Sequence, residues 1–176
     1  MIVWINGPFG VGKATVTAEL CRRLPKARAF DAERVGWVLK RAAGLLNHGD
    51  HQDLPAWRAA TVAAAAWQAR GADPLLVPMT VLRRRYLDEL LGGLRARGHQ
   101  VHHVLLDASA PVLVERIEAD EAPGPPGWGM DHVGAYLVAR HDLRGAGAVV
   151  DTDDLDPEEV ADHVGALIAE WSESPN

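Results

Sequence analysis

The clearest chemistry in the sequence lies in the segment Gly7-Pro8-Phe9-Gly10-Val11-Gly12-Lys13-Ala14-Thr15. Its spacing, a glycine, four residues and then Gly-Lys, is that of a loop that binds nucleotide phosphates. The glycines let the backbone direct its N–H groups toward one anion at a helix N-terminus, and Lys13 adds a positive charge beside the β- and γ-phosphates. We therefore expect nucleotide binding, with contacts from Gly7, Gly10, Val11, Gly12, Lys13, Ala14 and Thr15.

Position 14 departs from the usual loop, because alanine replaces the serine or threonine whose hydroxyl binds magnesium. Thr15 follows one residue later, and Asp31 and Asp107 each come at the end of a later apolar run. We therefore expect Mg²⁺ to be held mostly through water, with Thr15 and Asp31 as the candidate ligands and Asp107 as a further carboxylate.

Asp31-Ala32-Glu33 follows a short apolar run that predicts a strand. A carboxylate at the carboxyl end of a parallel strand lies where α/β proteins bind their ligands, and there it can accept the proton of a hydroxyl group. Asp31 is thus a candidate general base, with Glu33 beside it as a candidate substrate contact. The alternative is that Asp31 caps the next helix and Glu33 lies in its first turn.

Apolar periodicity predicts the elements that position these residues. Five short apolar runs predict strands at 2–6, 27–30, 75–79, 101–106 and 148–150, and longer stretches with a 3.6-residue period predict helices at 12–24, 56–69, 82–97, 111–119, 130–141 and 157–171. A further helix is predicted after Asp31, with Val35, Val38 and Leu39 on its inward face. Residues 44–54 and 122–129 are rich in turn-forming residues and predict loops. Because the strands are continuously apolar, they indicate a parallel sheet buried between two layers of helices, a three-layer α/β fold.

The composition excludes several classes of protein. A chain of 176 residues with 48% hydrophobic and 24% charged residues is ordinary for one folded domain, which we expect to span residues 1–176. A net charge of −6 argues against nucleic-acid binding. The apolar runs are shorter than a membrane span requires, the N-terminus does not have the pattern of a signal peptide, and the single cysteine cannot form an internal disulfide. We therefore expect a cytoplasmic protein without a membrane span.

The Gly-Lys-Ala-Thr ending of the loop is similar to the Gly-Lys-Gly-Thr of adenylate kinases. The chain as a whole resembles the tunicamycin-resistance family of P-loop phosphotransferases, relatives of chloramphenicol phosphotransferase, shikimate kinase and gluconate kinase. The resemblance rests on Ile2-Val3-Trp4-Ile5-Asn6-Gly7, Phe30-Asp31-Ala32-Glu33, Leu54-Pro55-Ala56-Trp57-Arg58, Val77-Pro78-Met79-Thr80, Val101-His102-His103 and Asp151-Thr152-Asp153. It implies a nucleoside-monophosphate-kinase-like fold with strand order 2-3-1-4-5, a lid over about residues 119–140, and ATP with Mg²⁺.

The resemblance also implies roles for individual residues. Asp31 would accept the proton of the acceptor hydroxyl, and Arg116 would stack on adenine or reach a phosphate. The acceptor would be contacted by Trp57, Arg58 and Thr80, and the adenine by Asp151 and Thr152. Each has a structural alternative: core packing for Trp57, surface charge for Arg116, a helix cap for Thr80, and a turn with a cap for the 151–153 loop. A second lid arginine is absent, since no arginine follows Trp128 until Arg140.

These observations predict an ATP-dependent phosphotransferase that acts on a hydroxyl of a small molecule, such as a tunicamycin-like antibiotic or a nucleoside, and confers antibiotic resistance as a monomer or homodimer. One alternative is a nucleoside or nucleotide kinase. Another is an ATP-binding protein that sequesters the drug without catalysis, an interpretation suggested by the missing hydroxyl at Ala14.

Overall fold

Strands and helices alternate along the part of the chain that is described. The structure is a computed structural model that describes residues 1–31, 50–119 and 128–174. In these ranges the strands are β1 (Ile2–Asn6), β2 (Arg28–Ala29), β3 (Leu75–Pro78), β4 (Val101–Asp107) and β5 (Ala148–Asp151). The helices are α1 (Lys13–Arg23), α2 (Pro55–Gln68), α3 (Arg84–Arg95), α4 (Ala110–Glu118), α5 (Trp128–Arg144) and α6 (Pro157–Glu173), with short 3-10 helices at His51–Asp53 and Ala69–Gly71.

All strand pairs are parallel, and the strand order is β2-β3-β1-β4-β5. The predicted sheet and its order are therefore confirmed. From β1 the chain crosses toward one edge of the sheet, whereas from β3 and β4 it moves toward the other edge. Because crossovers between parallel strands are right-handed, these opposite directions put their helices on opposite faces. Accordingly α1 packs on α6 and α2 packs on α3, which confirms the three-layer fold.

The centre of the sheet forms the core. Every residue of β1 is fully buried, as continuous apolar strands between two helical layers must be. Leu20 of α1 and Val164 of α6 are buried on one face, and Leu87 and Leu90 of α3 are buried as well. Burial of each such side chain contributes about 1.5–3 kcal/mol to the free energy of unfolding. This core holds in place the strand ends that carry the candidate site.

Several predicted element boundaries are shifted by one to three residues, and two of these shifts have a clear cause. The loop predicted for residues 122–129 ends earlier, because α5 already begins at Trp128. The first turn of α5 includes Gly129, although a glycine costs ~1 kcal/mol in a helix. α3 begins at Arg84 rather than at Leu82, because the side chain of Asn6 holds both backbone groups of Val81. Glu33, the helix predicted after Asp31 and residues 120–127 of the predicted lid lie outside the described residues.

In the parts of the chain that are described, no helix combines the length and the apolar character that crossing a bilayer would require.

Candidate functional site

The carboxyl ends of β1 and β3 meet at the point where the chain changes direction across the sheet. The connection from β1 leads toward the β2 edge, and the connection from β3 leads across β1 to β4. In open α/β sheets the crevice at such a switch point is where ligands bind. Here it lies between the glycine-rich loop after β1 and the residues Met79 and Thr80 after β3.

The glycine-rich loop adopts a conformation that only glycine tolerates well. Gly10 and Gly12 have φ angles of 78° and 89°, in the left-handed region. A Cβ atom on Gly7 would lie 2.6 Å from the carbonyl oxygen of Leu106, so the loop can approach β4 only with glycine at that position.

The N-terminus of α1 is open toward the crevice. The helix begins directly after Gly12, no side chain caps it in the described residues, and its first turn contains no acidic residue. The first N–H groups of a helix have no partner within the helix, and they carry its positive dipole end. The loop and this helix start therefore form a donor set that fits the phosphates of a nucleotide.

Asn6 and Thr80 fasten the two loops to each other. The Asn6 side-chain oxygen accepts hydrogen bonds from the N–H groups of Gly7 and Val81, both at 2.9 Å, and its amide donates to the Val81 carbonyl at 3.0 Å. The Thr80 hydroxyl donates to the Gly7 carbonyl at 2.8 Å. Sequence reasoning missed the role of Asn6, although a polar residue that ends a fully apolar strand is a usable signal. The N-cap of α3 is Arg83, so Thr80 is not the cap that was one alternative for it.

Lys13 points back into its own loop. Its Nζ donates to the carbonyl oxygens of Gly7 at 3.0 Å and Pro8 at 2.6 Å, and lies 5.5 Å from the centre of the Phe9 ring. Burial lowers the pKa of the Lys13 ammonium from 10.5 to about 7. A bound phosphate would supply the negative charge that this buried cation needs, because an opposite charge within a few ångströms favours the protonated form.

Binding of ATP above pH 7 should therefore be accompanied by proton uptake. At pH 8.5 the nucleotide-free Lys13 is mostly neutral, because its pKa is about 7, and the triphosphate then restores the charged form. Calorimetric titrations with ATP in two buffers of different ionisation enthalpy should report an uptake that declines toward pH 6. Lys13→Met should abolish this component; an unchanged uptake in that variant would assign the proton to another group.

A single large cavity contains most of the predicted site residues. Its volume is about 1650 Å³, beyond the roughly 300–1,000 Å³ that one small ligand generally needs, so a nucleotide and a second small molecule can be accommodated together. Of the predicted site residues, the structure places on its wall Gly10, Gly12, Lys13, Ala14, Thr15, Asp31, Thr80 and Arg116.

The candidate magnesium ligands face this cavity without forming a dedicated metal cage. Thr15 and Asp31 are both exposed on the cavity wall, and Ala14 offers no oxygen there. The described residues contain no group of three or more histidine, cysteine, aspartate or glutamate side chains that could hold a metal. One carboxylate and one hydroxyl fit Mg²⁺, because this ion keeps several waters and is usually bound by one or two carboxylates and the phosphates of the substrate.

Arg116 lies on the cavity wall and contacts Thr152, which lies behind the wall. The Arg116 guanidinium donates to the Thr152 hydroxyl at 3.0 Å and to its carbonyl at 2.6 Å. Thr152 is buried and donates through its hydroxyl to the carbonyl of Asp107 at 3.1 Å, whereas Asp151 is exposed. Of the predicted adenine-side residues, Arg116 and Thr152 are thus in contact, and the roles of all three toward a nucleotide stay predictions.

Trp57 and Arg58 lie behind the cavity wall. Both are buried, and neither lines the cavity. Arg58 donates to Glu89 at 2.7 Å and to the carbonyl of Gln52 at 2.6 Å, while the ring of Trp57 packs on that of His51 at 5.0 Å. His51 and Gln52 line the cavity, so Trp57 and Arg58 stabilise the cavity wall through their contacts with these two residues.

Arg83 and Tyr86 lie on the cavity wall and belong to a polar cluster. Arg83 and the Tyr86 hydroxyl both donate to the carboxylate of Asp53, and Arg85 donates to the same hydroxyl at 3.0 Å. A usable signal was the run of three arginines at a helix start, where the helix dipole disfavours cations. Asp53 supplies the compensating charge.

Asp107 is not available as the additional magnesium carboxylate. Its side chain is fully buried and accepts hydrogen bonds from Tyr136, Arg140 and Arg144. Burial alone would raise the pKa of this carboxyl, but the hydrogen bonds and charges of these partners hold it below its usual range. The carboxylate therefore fastens α5 to the end of β4. The four-residue spacing of Tyr136, Arg140 and Arg144, which puts them on one helix face, was the signal that could have found it.

Comparison with known proteins gives the following similarities. The profile of the AAA domain family matches residues 2–126. The structure of the tunicamycin resistance protein of Deinococcus radiodurans is similar with a TM-score of 0.78 and 34% identity, over 95% of this chain and 94% of that one. A gluconokinase from Sinorhizobium meliloti 1021 is similar in fold, with a TM-score of 0.67 and 18% identity over 97% of this chain and 93% of that one. A shikimate kinase from Bacteroides thetaiotaomicron is also similar in fold, with a TM-score of 0.64 and 15% identity over 96% and 98%. A comparison with curated proteins found no significant match.

Proposed function

Since the chain belongs to the AAA domain family of P-loop kinases, together with the tunicamycin resistance protein, we propose that it transfers the γ-phosphoryl group of ATP to a hydroxyl group of a small molecule. The observation that carries this proposal is the single large cavity on whose wall Lys13, Asp31 and Arg116 all lie. A tunicamycin-like antibiotic or a nucleoside is the acceptor we favour. The reaction would take place in the cytoplasm, where ATP is available.

The residues of the chain divide the work of the transfer. Bound ATP with Mg²⁺ supplies the phosphoryl group and part of the charge that stabilises it. The loop N–H groups and Lys13 would hold the phosphates in place, and Thr15 and Asp31 would hold Mg²⁺ mostly through water. As the acceptor oxygen bonds to the γ-phosphorus, the bond from that phosphorus to the β-side oxygen breaks. The hydroxyl proton passes to the Asp31 carboxylate, and ADP leaves.

Arg116 would add positive charge at the nucleotide side of this site. Its guanidinium is already oriented by Thr152, at 3.0 Å and 2.6 Å, which limits the freedom lost when a nucleotide binds. The remaining N–H donors of a guanidinium can face a phosphate or its planar surface can stack on adenine.

The proposal is tested by incubating the protein with magnesium ATP and a panel of tunicamycin, chloramphenicol, uridine, gluconate and shikimate. Mass spectrometry should show one panel compound gaining the mass of a phosphate group, with ADP formed in equal amount. Lys13→Met serves as the inactive control. Tight tunicamycin binding without any mass gain or ADP formation would contradict phosphoryl transfer and favour sequestration of the drug.

The sequestering alternative rests on Ala14, which removes the hydroxyl that usually binds magnesium directly. If the protein is an enzyme that binds Mg²⁺ through water molecules, Ala14→Ser should change kcat by no more than a few-fold. Position 14 is exposed on the cavity wall, so the added hydroxyl meets no steric obstacle from burial. Steady-state turnover with the best panel acceptor measures the effect, and Ala18→Ser on the same helix is the matched control. An increase in kcat of more than about a hundredfold would instead show that the natural protein has lost most of its catalytic activity, and would favour the sequestering alternative.

A further inference from the structure

Thr17 has a hydroxyl group that the fold itself does not use. The residue is 2% exposed, and its Oγ1 is buried with no hydrogen-bond partner in the described residues. Seven buried side-chain nitrogen and oxygen atoms there lack a partner, and of their residues Thr17 alone lines the large cavity. The hydroxyl without a hydrogen-bond partner therefore belongs to a residue of the candidate site.

A buried hydroxyl without a partner is unfavourable, because it gave up its hydrogen bonds to water on folding. Threonine inside a helix normally avoids this by bonding to a carbonyl one turn earlier. In α1 it does not, and valine would fill the same space without the penalty. Positions where a sequence breaks such a local rule are expected at functional sites.

The position of Thr17 assigns it to the acceptor side of the cavity. It lies four residues after Lys13, on the same face of α1 and about 6 Å further along the helix. Helix α1 contacts the edge strand β2, and Ala29, Phe30 and Asp31 at the carboxyl end of this strand line the same cavity as Thr17. Arg116 and Thr152 lie toward the opposite edge, beyond β4.

The Thr17 hydroxyl can change its direction without a movement of the backbone. Rotation about the Cα–Cβ bond moves it between two staggered positions, and threonine populates both of these rotamers in helices. Ala29 and Phe30 on the wall of the same cavity are uncharged and apolar, so they can contact the apolar face of a ligand there.

We propose that the Thr17 hydroxyl is a specificity-determining contact that hydrogen-bonds to a neutral hydroxyl or amide group of the acceptor, whose apolar face lies on Ala29 and Phe30. The acceptors selected in this way are neutral hydroxylated compounds of the nucleoside or glycoside class. This inference rests on the proposed phosphoryl transfer, and it adds a second polar contact to the one assigned to Asp31.

Thr17→Val is the direct test, and Thr61→Val is its matched control. Thr61 in α2 is also fully buried with an unpartnered hydroxyl, but it does not line the cavity. Both variants should keep or raise the melting temperature, because each removes an unsatisfied buried hydroxyl. Only Thr17→Val should raise the acceptor KM, by about tenfold, which is what one lost hydrogen bond corresponds to. The KM for ATP should stay unchanged, and Thr17→Ser should restore the acceptor KM.

The kinetics use whichever of tunicamycin, chloramphenicol and uridine accepts phosphate best, and tunicamycin affinity is measured separately by calorimetry without ATP. Equal acceptor constants in the Thr17→Val and Thr61→Val variants would overturn the inference, as would a fall in melting temperature for Thr17→Val alone. If no compound accepts phosphate, phosphoryl transfer fails as the proposed function. The calorimetry then still decides: weaker tunicamycin binding by Thr17→Val alone supports the contact, and equal or absent binding overturns it.

Discussion

Replacing Lys13 with methionine is expected to abolish phosphoryl transfer and to weaken ATP binding by about a hundredfold or more. A hydrogen bond to a charged group contributes about 1.5–3 kcal/mol, and a lysine ammonium has three N–H donors that it can offer to phosphate oxygens. The fold should survive, because burial already lowers the pKa of this ammonium to about 7 and a buried cation without a counter-charge adds little stability. Calorimetry with ATP and thermal unfolding without it measure the two effects.

Lys26→Met is the matched control for this prediction, because Lys26 is exposed and lies beyond the end of α1. It should bind ATP like the unchanged protein. Equal ATP affinity in the Lys13→Met and Lys26→Met variants would show that the glycine-rich loop is not the phosphate site.

Replacing Asp31 with asparagine should reduce transfer to the acceptor by about 10²–10⁴-fold, the usual contribution of a general base. Asparagine has nearly the same shape and caps helices about as well as aspartate, so the melting temperature and the ATP affinity should change little. Asp31 is exposed on the cavity wall at the end of β2, where it faces the space shared with Lys13. Single-turnover measurements at saturating ATP separate the chemical step from binding.

The control for Asp31 is Asp154→Asn, which removes an exposed carboxylate away from the cavity. Its turnover should equal that of the unchanged protein. Near-normal transfer by Asp31→Asn would show that Asp31 is not the general base and only caps a helix. Glu33→Gln would then be the next variant to test. A loss of ATP affinity together with rate would instead indicate that Asp31 acts mainly through magnesium.

The part of the site that depends on local pattern could be predicted from the sequence. A glycine-rich turn between a strand and a helix has few possible conformations, so the spacing from Gly7 to Lys13 already indicates an anion-binding helix start. The position of Asp31 at a strand end likewise follows from the apolar run before it. Continuous apolar strands alternating with helices also indicate the parallel sheet, since parallel strands joined by helices have both faces covered.

The part that depends on partners distant in sequence could not be predicted. Arg58 was expected to touch the acceptor, yet it pairs with Glu89 and packs on the ring of Tyr86 at 4.2 Å. Asp107 was a candidate for magnesium, yet Arg140 and Arg144 neutralise it. In each case the residue type is compatible with both roles, and only the groups that folding brings next to it decide between them.

The sequence by itself determined which backbone segments this protein has and where its phosphate-binding loop lies, because hydrophobic periodicity and glycine geometry act over a few neighbouring residues. Only the tertiary structure decided which side chains form hydrogen bonds and ion pairs within the protein and which line the cavity. Asn6 contacts Val81 across 75 positions of the chain, and the Thr17 hydroxyl is buried without a hydrogen-bond partner among the residues that the structure describes. Burial and hydrogen bonding are properties of the assembled layers, so no local pattern contains them.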